Sequence, residues 1–203
     1  MFYRPDAGHG LPHNPFSAII APRPIAWVST RGNLGDNLAP YSFFNAIAYN
    51  PPQVMFASTG VKDTLRNVQA SGVFAVNILG AAMLEVMNDT SNPLPPGVDE
   101  FTHAGVAKAE CQTVDCPRVD GVPATLECRL TQVITLKGRD NFMILGEVTG
   151  VHLREDCLVN GRFDASRYHP VARMGYQDYA VVREVQELLR PDERQVAQVP
   201  RPD

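Results

Sequence analysis

Two long stretches in the second half of the chain limit its possible folds more than any other feature. From Thr125 to Leu136 the residues alternate, with Leu126, Cys128, Leu130, Ile134 and Leu136 set against Thr125, Glu127, Arg129, Thr131 and Thr135. Lys137-Gly-Arg-Asp-Asn141 turns the chain, and Phe142–Leu153 runs back. A period of two marks a strand buried on one face. Strands about twice the usual five to six residues, interrupted by Gly146 and Gly150, suit a sheet that curves into a barrel. A mostly β fold is therefore predicted.

The first half supplies shorter elements. Ile25–Thr30 is β-branched and aromatic and predicts a strand, and Arg31-Gly-Asn-Leu-Gly-Asp36 has the composition of a hairpin loop. A second strand is expected from Leu38 into Ala48, and a third over Val54–Ser58. Between Lys62 and Ser71 the period changes: Leu65 and Val68 are three apart, Asp63 or Thr64 is placed to cap, and Gly72 stands at the stop of a short helix. Phe74–Leu79 returns to strand, and Ala81–Met87 predicts a helix. Asn88–Pro123, with five prolines, is expected to be mostly loop with a helical piece near Val98–Thr102. Residues 179–190 suit a last strand or a helix, and from Pro191 a Pro-rich flexible tail is expected.

A chain of 203 residues suits one domain, here residues 1–190, burying roughly 70% of its unfolded surface without a staple. Hydrophobic residues at 44% and charged residues at 20% exclude a disordered chain. A net charge of −4 argues against a nucleic-acid partner. No apolar run approaches a membrane span or a signal peptide, so a cytoplasmic protein with no membrane partner is expected. The four cysteines, Cys111, Cys116, Cys128 and Cys157, form no C-x-x-C pair and are expected as free thiols rather than metal ligands. Dinucleotide, P-loop, zinc-protease and serine-hydrolase motifs are all missing from the sequence.

What remains is a set of polar residues at strand ends. In Ser58-Thr-Gly-Val-Lys-Asp-Thr64 a strand end leads through a glycine turn into a helix start, whose free N–H groups join Lys62 and the hydroxyls of Ser58, Thr59 and Thr64. That chemistry suits a phosphomonoester; an ordinary capped helix with a solvated lysine has the same sequence. Arg23, fixed beside Pro24, stands where it can reach an anion or pair with a surface acid. In Asn37–Asn45, Ser42 and Asn45 interrupt an aromatic run, a mixture that suits a flat heterocycle or a core strand with a bulge. Arg173 follows a second Pro and precedes Gly175. His152 and His169 are read as structural before catalytic, and Trp27 as core.

In their order and spacing, PRPIAWVST, NLAPYSFFN, the pair NPP, KDTLRN, FAVNIL, ATLECRL, GEVTGVHL and PVARMGYQDYA resemble the flavin reductase-like family, the flavoredoxin branch of the FMN-binding split-barrel proteins. The likeness spans roughly residues 15 to 190. It implies a six-stranded antiparallel split β-barrel with flanking helices, a homodimer, and FMN held without a covalent bond. By position, Ser58, Lys62 and Thr64 resemble phosphate ligands. Arg23, Pro24 and Ile25, with Ser42, Phe44 and Asn45, resemble the strands beside the ribityl chain and ring, and Arg173 resembles a C-terminal contribution. Cys128 falls in a family strand and is expected in the core. The implied activity is an NAD(P)H-dependent flavin reductase, with NADH or NADPH as co-substrate and hydride passing to flavin N5, and a flavin-dependent monooxygenase as one redox partner. No side-chain catalytic residue is required. An FMN electron carrier without its own NAD(P)H turnover is the alternative, and a split barrel that has lost its cofactor is a third reading. Gly175-Tyr176 stands where relatives commonly carry Gly-Gly, so a bulky ring is expected near the open face.

Overall fold

The computed structural model describes residues 1–33 and 35–188. The tail expected from residue 191 and the end of the 179–190 segment lie outside the described residues. A short helix α1 (Phe16–Ile19) precedes β1 (Arg23–Pro24), β2 (Ala26–Gly32), β3 (Gly35–Tyr41), β4 (Phe44–Tyr49) and β5 (Pro52–Thr59). Helix α2 (Asp63–Ser71) leads to β6 (Val73–Ile78), then α3 (Leu84–Asp89) and α4 (Glu100–His103). After the three-residue strands β7 (Lys108–Glu110) and β8 (Pro117–Val119) come the long β9 (Ala124–Thr135) and β10 (Asn141–Leu153). Small elements β11 (Leu158–Val159), β12 (Arg162–Phe163), β13 (Val171–Arg173) and β14 (Tyr179–Val181) complete the order.

Seven antiparallel strands form the main sheet in the order β3-β2-β6-β9-β10-β5-β4. The two edge strands are consecutive in the chain, joined only by Ser42 and Phe43. In a flat sheet six gaps of about 4.8 Å would separate those edges by about 29 Å. The link from Tyr41 to Phe44 spans at most about 11 Å. The sheet must therefore curl until β3 and β4 meet, which makes it a barrel with a slit between them. The count differs from the expected six because the run Leu38–Ala48, read as one strand, is two. Its first part pairs with β2 and its second with β5, so the chain must break direction at Ser42-Phe43 to cross the slit.

The long hairpin follows the predicted alternation. β9 and β10 pair from Phe142↔Thr135 to Leu153↔Ala124, with register shifts at Leu145/Gly146 and Val148/Gly150. Gly146 is required there, since a Cβ would lie 2.4 Å from Cζ of Phe74. Inside the barrel Tyr41, Phe56, Phe74, Val76, Cys128 and Ile144 form one core, and Leu65 and Val68 of α2 close its end. Cys128 is fully buried, as expected of a core residue. A second core on the outer face gathers Ile25, Trp27, Leu38, Met87 and Phe101 under α3 and α4. Gly72 ends α2 in the left-handed region at φ 72°, and its amide bonds Val68 O at 2.9 Å. No helix among the described residues is long and apolar enough to cross a membrane.

Two readings need correction. Neither Asp63 nor Thr64 caps α2: the N-cap is Lys62, and no side chain bonds the helix start. The segment Asn88–Pro123 is more than loop and helix, because β7 and β8 pair within it. Strands of three residues, one opening on Pro117, are too short to show a period. In the 179–188 segment only Tyr179–Val181 is strand, paired with β13.

Candidate functional site

Helix α2 begins without a side-chain cap. Its first intrahelical bond runs from the Arg66 amide to Lys62 O at 3.0 Å, so the amides of Asp63, Thr64 and Leu65 precede the ladder and have no partner in it. Together with the helix dipole they form a site of positive potential. Lys62 is exposed beside them and forms no ion pair with the described residues. Asp63 is engaged elsewhere: its carboxylate accepts from Arg66 Nη1 at 2.8 Å and from the Gly97 amide at 2.9 Å.

These groups border a cavity of about 380 Å3. Lys62, Thr64 and Arg66 line one wall, Asn37 and Tyr41 of β3 another, and the Thr90–Pro96 loop a third. The Thr64 hydroxyl donates to Asn37 Oδ1 at 2.5 Å, and Asn37 Nδ2 donates to both oxygens of Glu100 at 2.9 Å. Burial pushes the Glu100 carboxyl up, opposed by the Leu38 amide, which donates to it at 3.0 Å, and by Asn37. The Tyr41 ring is 7% exposed, and its Oη is buried with no hydrogen-bond partner among the described residues. Burial pushes that phenol up, with the nearby hydroxyls of Thr64 and Ser58 acting in the opposite direction. It therefore remains a proton donor. A buried O–H without an acceptor is costly unless a ligand or water supplies one.

Ser58 lies at the end of β5, where its Oγ donates to Gly60 O at 3.0 Å. The start of β4 is next to it: the Ala57 amide bonds Phe43 O at 2.8 Å, and Phe44 faces Phe56 across the ladder. Asn45, exposed on the edge strand, takes the Ala46 amide on its own Oδ1 at 2.9 Å. Ser42 is half-buried in the β3–β4 link.

Arg23 and Arg173 face each other in the β1–β13 ladder. The Arg23 guanidinium is buried and directed at carbonyls: Nη1 donates to Ser17 O and to Ile20 O (2.6 Å), and Nη2 to Met174 O at 2.6 Å. Burial first, and Arg173 second, lower its pKa. Its Nε is buried without a partner among the described residues, and Cζ lies 5.7 Å from the centre of the Phe43 ring. Pro24 is exposed, whereas the Ile25 side chain belongs to the outer core. Arg173 Nη2 donates to Tyr176 O at 2.6 Å, and its guanidinium covers the Tyr179 ring at 4.5 Å.

The turn Tyr41–Phe44 thus connects the two groups of predicted residues. Tyr41 faces the cavity with Lys62 and Thr64, and Phe43 faces Arg23. His152 lies apart from both, its Nε2 2.5 Å from Oε1 of the buried Glu127. Tyr41, Asn37, Glu100 and the Thr90–Pro96 loop were missed from sequence. The clustered prolines Pro93, Pro95 and Pro96 are the one local sign that this loop holds a fixed shape. Trp27 Nε1, donating to Thr90 Oγ1 at 2.9 Å, anchors its start.

A family model described as a flavin reductase like domain matches residues 19–172. An uncharacterized protein of Deinococcus radiodurans is 41% identical over 192 residues, covering 86% of this chain and 82% of its own length. Among solved structures, nitrilotriacetate monooxygenase component B from Bacillus cereus superposes with a TM-score of 0.81 at 31% identity, over 89% of this chain and all of that one. The 2-nitrobenzoate 2-nitroreductase NbaA of Pseudomonas fluorescens gives a TM-score of 0.79 at 27% identity, over 92% and 91% of the two chains.

Proposed function

Because the chain belongs to the flavin reductase-like family, we propose that it binds FMN and acts as an NAD(P)H-dependent flavin reductase. The observation that carries this reading is the uncapped start of α2, where amides and a Tyr41 Oη with no partner among the described residues border one cavity with Lys62. A phosphate monoester is an acceptor-rich dianion that satisfies all three kinds of donor at once. Lys62 supplies the charge, the amides of Asp63 to Leu65 the directional bonds, and Thr64 a hydroxyl oxygen at the rim, whereas Ser58 is buried outside the cavity lining with its Oγ on Gly60 O. Thr64 gives its proton to Asn37, so its part is to hold the wall and accept.

The remaining candidates extend from this corner. Ser42, Phe44 and Asn45 carry the edge of the slit, and Asn45 Nδ2, with no partner among the described residues, takes the role of donor to a heterocycle. Arg23 holds α1 and Met174 in place beside Phe43, and Pro24 and Ile25 offer main-chain groups only. Arg173 orients the Tyr176 turn. Bound FMN would supply the redox chemistry, accepting a hydride from nicotinamide at N5 and releasing electrons to an acceptor. The Bacillus cereus neighbour is named as a monooxygenase component, which supports a flavin-dependent monooxygenase as the acceptor. Exposed Phe43, Ile47 and Tyr49 stand at the start of and along β4, whose outer edge pairs with no strand among the described residues, which supports a homodimer across this face.

One feature favours an electron carrier without NAD(P)H turnover as a second reading. Tyr176, at φ 55° and half exposed, sets its ring edge-on to His13 at 5.7 Å, placing bulk where a glycine would leave space. Anaerobic mixing of the FMN-loaded protein with NADH, then NADPH, separates the two: catalytic bleaching supports the reductase, and a flavin that stays oxidised with both supports the carrier. The phosphate corner has its own test. Lys62→Ala is expected to weaken FMN about ten- to a hundredfold in a fluorescence titration. Unchanged affinity removes Lys62 from the site.

A further inference from the structure

The β7–β8 hairpin brings two thiols together at its closed end. Glu110 pairs with Pro117, so Cys111 and Cys116 occupy the next opposed positions, and the Cys111 amide bonds Cys116 O at 3.1 Å. The Cys116 amide turns to Val114 O at 3.0 Å, so one bond rather than two crosses here. Directly opposed antiparallel residues have side chains on the same face and Cα atoms about 4.5–5.5 Å apart. That falls inside the roughly 4.4–6.8 Å a disulfide requires. Both are free thiols; Cys111 is partly exposed, and Cys116 is buried with its Sγ donating to Ser29 O at 3.2 Å. Cys116 packs with Ala75 and Val114 in one small cluster, and Cys111 packs against it; interaction with the Cys111 thiol, ahead of burial, pushes the Cys116 thiol up. The four residues between them are held from outside: Glu127 accepts from the amides of Gln112 and Thr113 at 2.7 and 2.6 Å.

We propose that Cys111 and Cys116 are a redox-active pair that closes as a reversible disulfide across this hairpin, with a low-molecular-weight disulfide as oxidant. Cys111, the accessible thiol, loses its proton to water and attacks one sulfur of the reagent. The reagent's S–S bond breaks, its first half leaves as a thiolate, and a mixed disulfide forms on Cys111. Cys116 then gives up its proton and its bond to Ser29 O and attacks the Cys111 sulfur, expelling the second half. The two cysteines lose two electrons, and the two released protons convert the departing thiolates to thiols. Cys128 lies in the barrel core and Cys157 against Arg154, so neither shares this hairpin.

Trypsin separates the cases, since Ala109–Arg118 carries both thiols while Cys128 and Cys157 fall in other peptides. The folded protein is incubated with oxidised glutathione, quenched in acid, alkylated with iodoacetamide and digested. The expected product is Ala109–Arg118 lighter by two hydrogens and unalkylated, with Cys128 and Cys157 fully alkylated, and dithiothreitol restoring both lost thiols. In Cys116→Ser the glutathione adduct is expected to stay on Cys111. An Ala109–Arg118 peptide that remains doubly alkylated overturns the proposal, as does an adduct as persistent in the wild type as in Cys116→Ser, or a cross-link to the Cys128 peptide.

Discussion

Glu127→Ala is expected to lower the free energy of unfolding by about 3–5 kcal/mol, because it removes one partner of a buried charged network. The side chain is 1% exposed. Its Oε1 meets the Gln112 amide at 2.7 Å and His152 Nε2 at 2.5 Å, and its Oε2 meets the Thr113 amide and hydroxyl at 2.6 and 2.5 Å. Truncation takes their acceptor from the Gln112 and Thr113 amides and from the half-buried His152, leaves the Thr113 hydroxyl only Thr149 Oγ1 at 2.7 Å, and frees the loop that β7 and β8 enclose. Burial pushes this carboxyl up, but the bonds from Thr113, Gln112 and His152 outweigh it and hold the group at about 2. The folded value lies below the unfolded one near 4.5, so the contribution is complete above pH 4.5 and drains as pH falls toward 2. A displacement of that size corresponds to about 3 kcal/mol, more than half of it gone by pH 3. Urea unfolding of the wild type and Glu127→Gln at pH 7 and pH 3 checks this. The gap between them should narrow sharply in acid, and an equal gap at both values would show that the charge is not what stabilises the loop.

Glu127 also marks where sequence reading stops. The alternation of β9 made its position inside a strand legible, but not that its face is closed by a loop more than ten residues earlier in the chain. The same holds at the site. The helix with its Gly72 stop and the exposed Lys62 were readable because helix ends obey local rules. Thr64 was readable only as a hydroxyl near a helix start; that its proton goes to Asn37, and that Asn37 rests on Glu100, follows from α4 folding onto β3. Pro24 suggested that Arg23 stands just outside a strand; Arg23 instead belongs to the two-residue β1, and its donors reach the carbonyls of α1 and of Met174, partners fixed by β1 pairing with β13. Tyr41 was hidden most completely. In sequence it is the first ring of an aromatic run, and nothing local distinguishes it from Phe43 or Phe44. Its position comes from closure of the barrel, which breaks the run after Tyr41 and turns successive rings to different surroundings.

Phe56→Ala is expected to cost about 3–5 kcal/mol and, under the proposed function, to weaken FMN binding as a separate effect. Phe56 is fully buried at the middle of β5, between Phe44 of β4 and Ile144 of β10 in the ladders. Its ring lies 4.9 Å from that of Tyr41 and 5.3 Å from that of Phe74, so rings from β3 and β6 both meet on this one from β5. Removing it opens a cavity in the barrel and takes away the wall against which Tyr41 stands. A Tyr41 ring free to tilt inward withdraws its Oη from the cavity beside Lys62, and the loss appears as a faster release of flavin at temperatures where the variant remains folded. Phe56→Leu keeps most of the apolar bulk and is expected to lose less on both counts. Thermal unfolding and FMN titration, run on the same preparations, separate the two effects. A large fall in stability with unchanged FMN affinity would leave the barrel core as described and remove Tyr41 from the binding site.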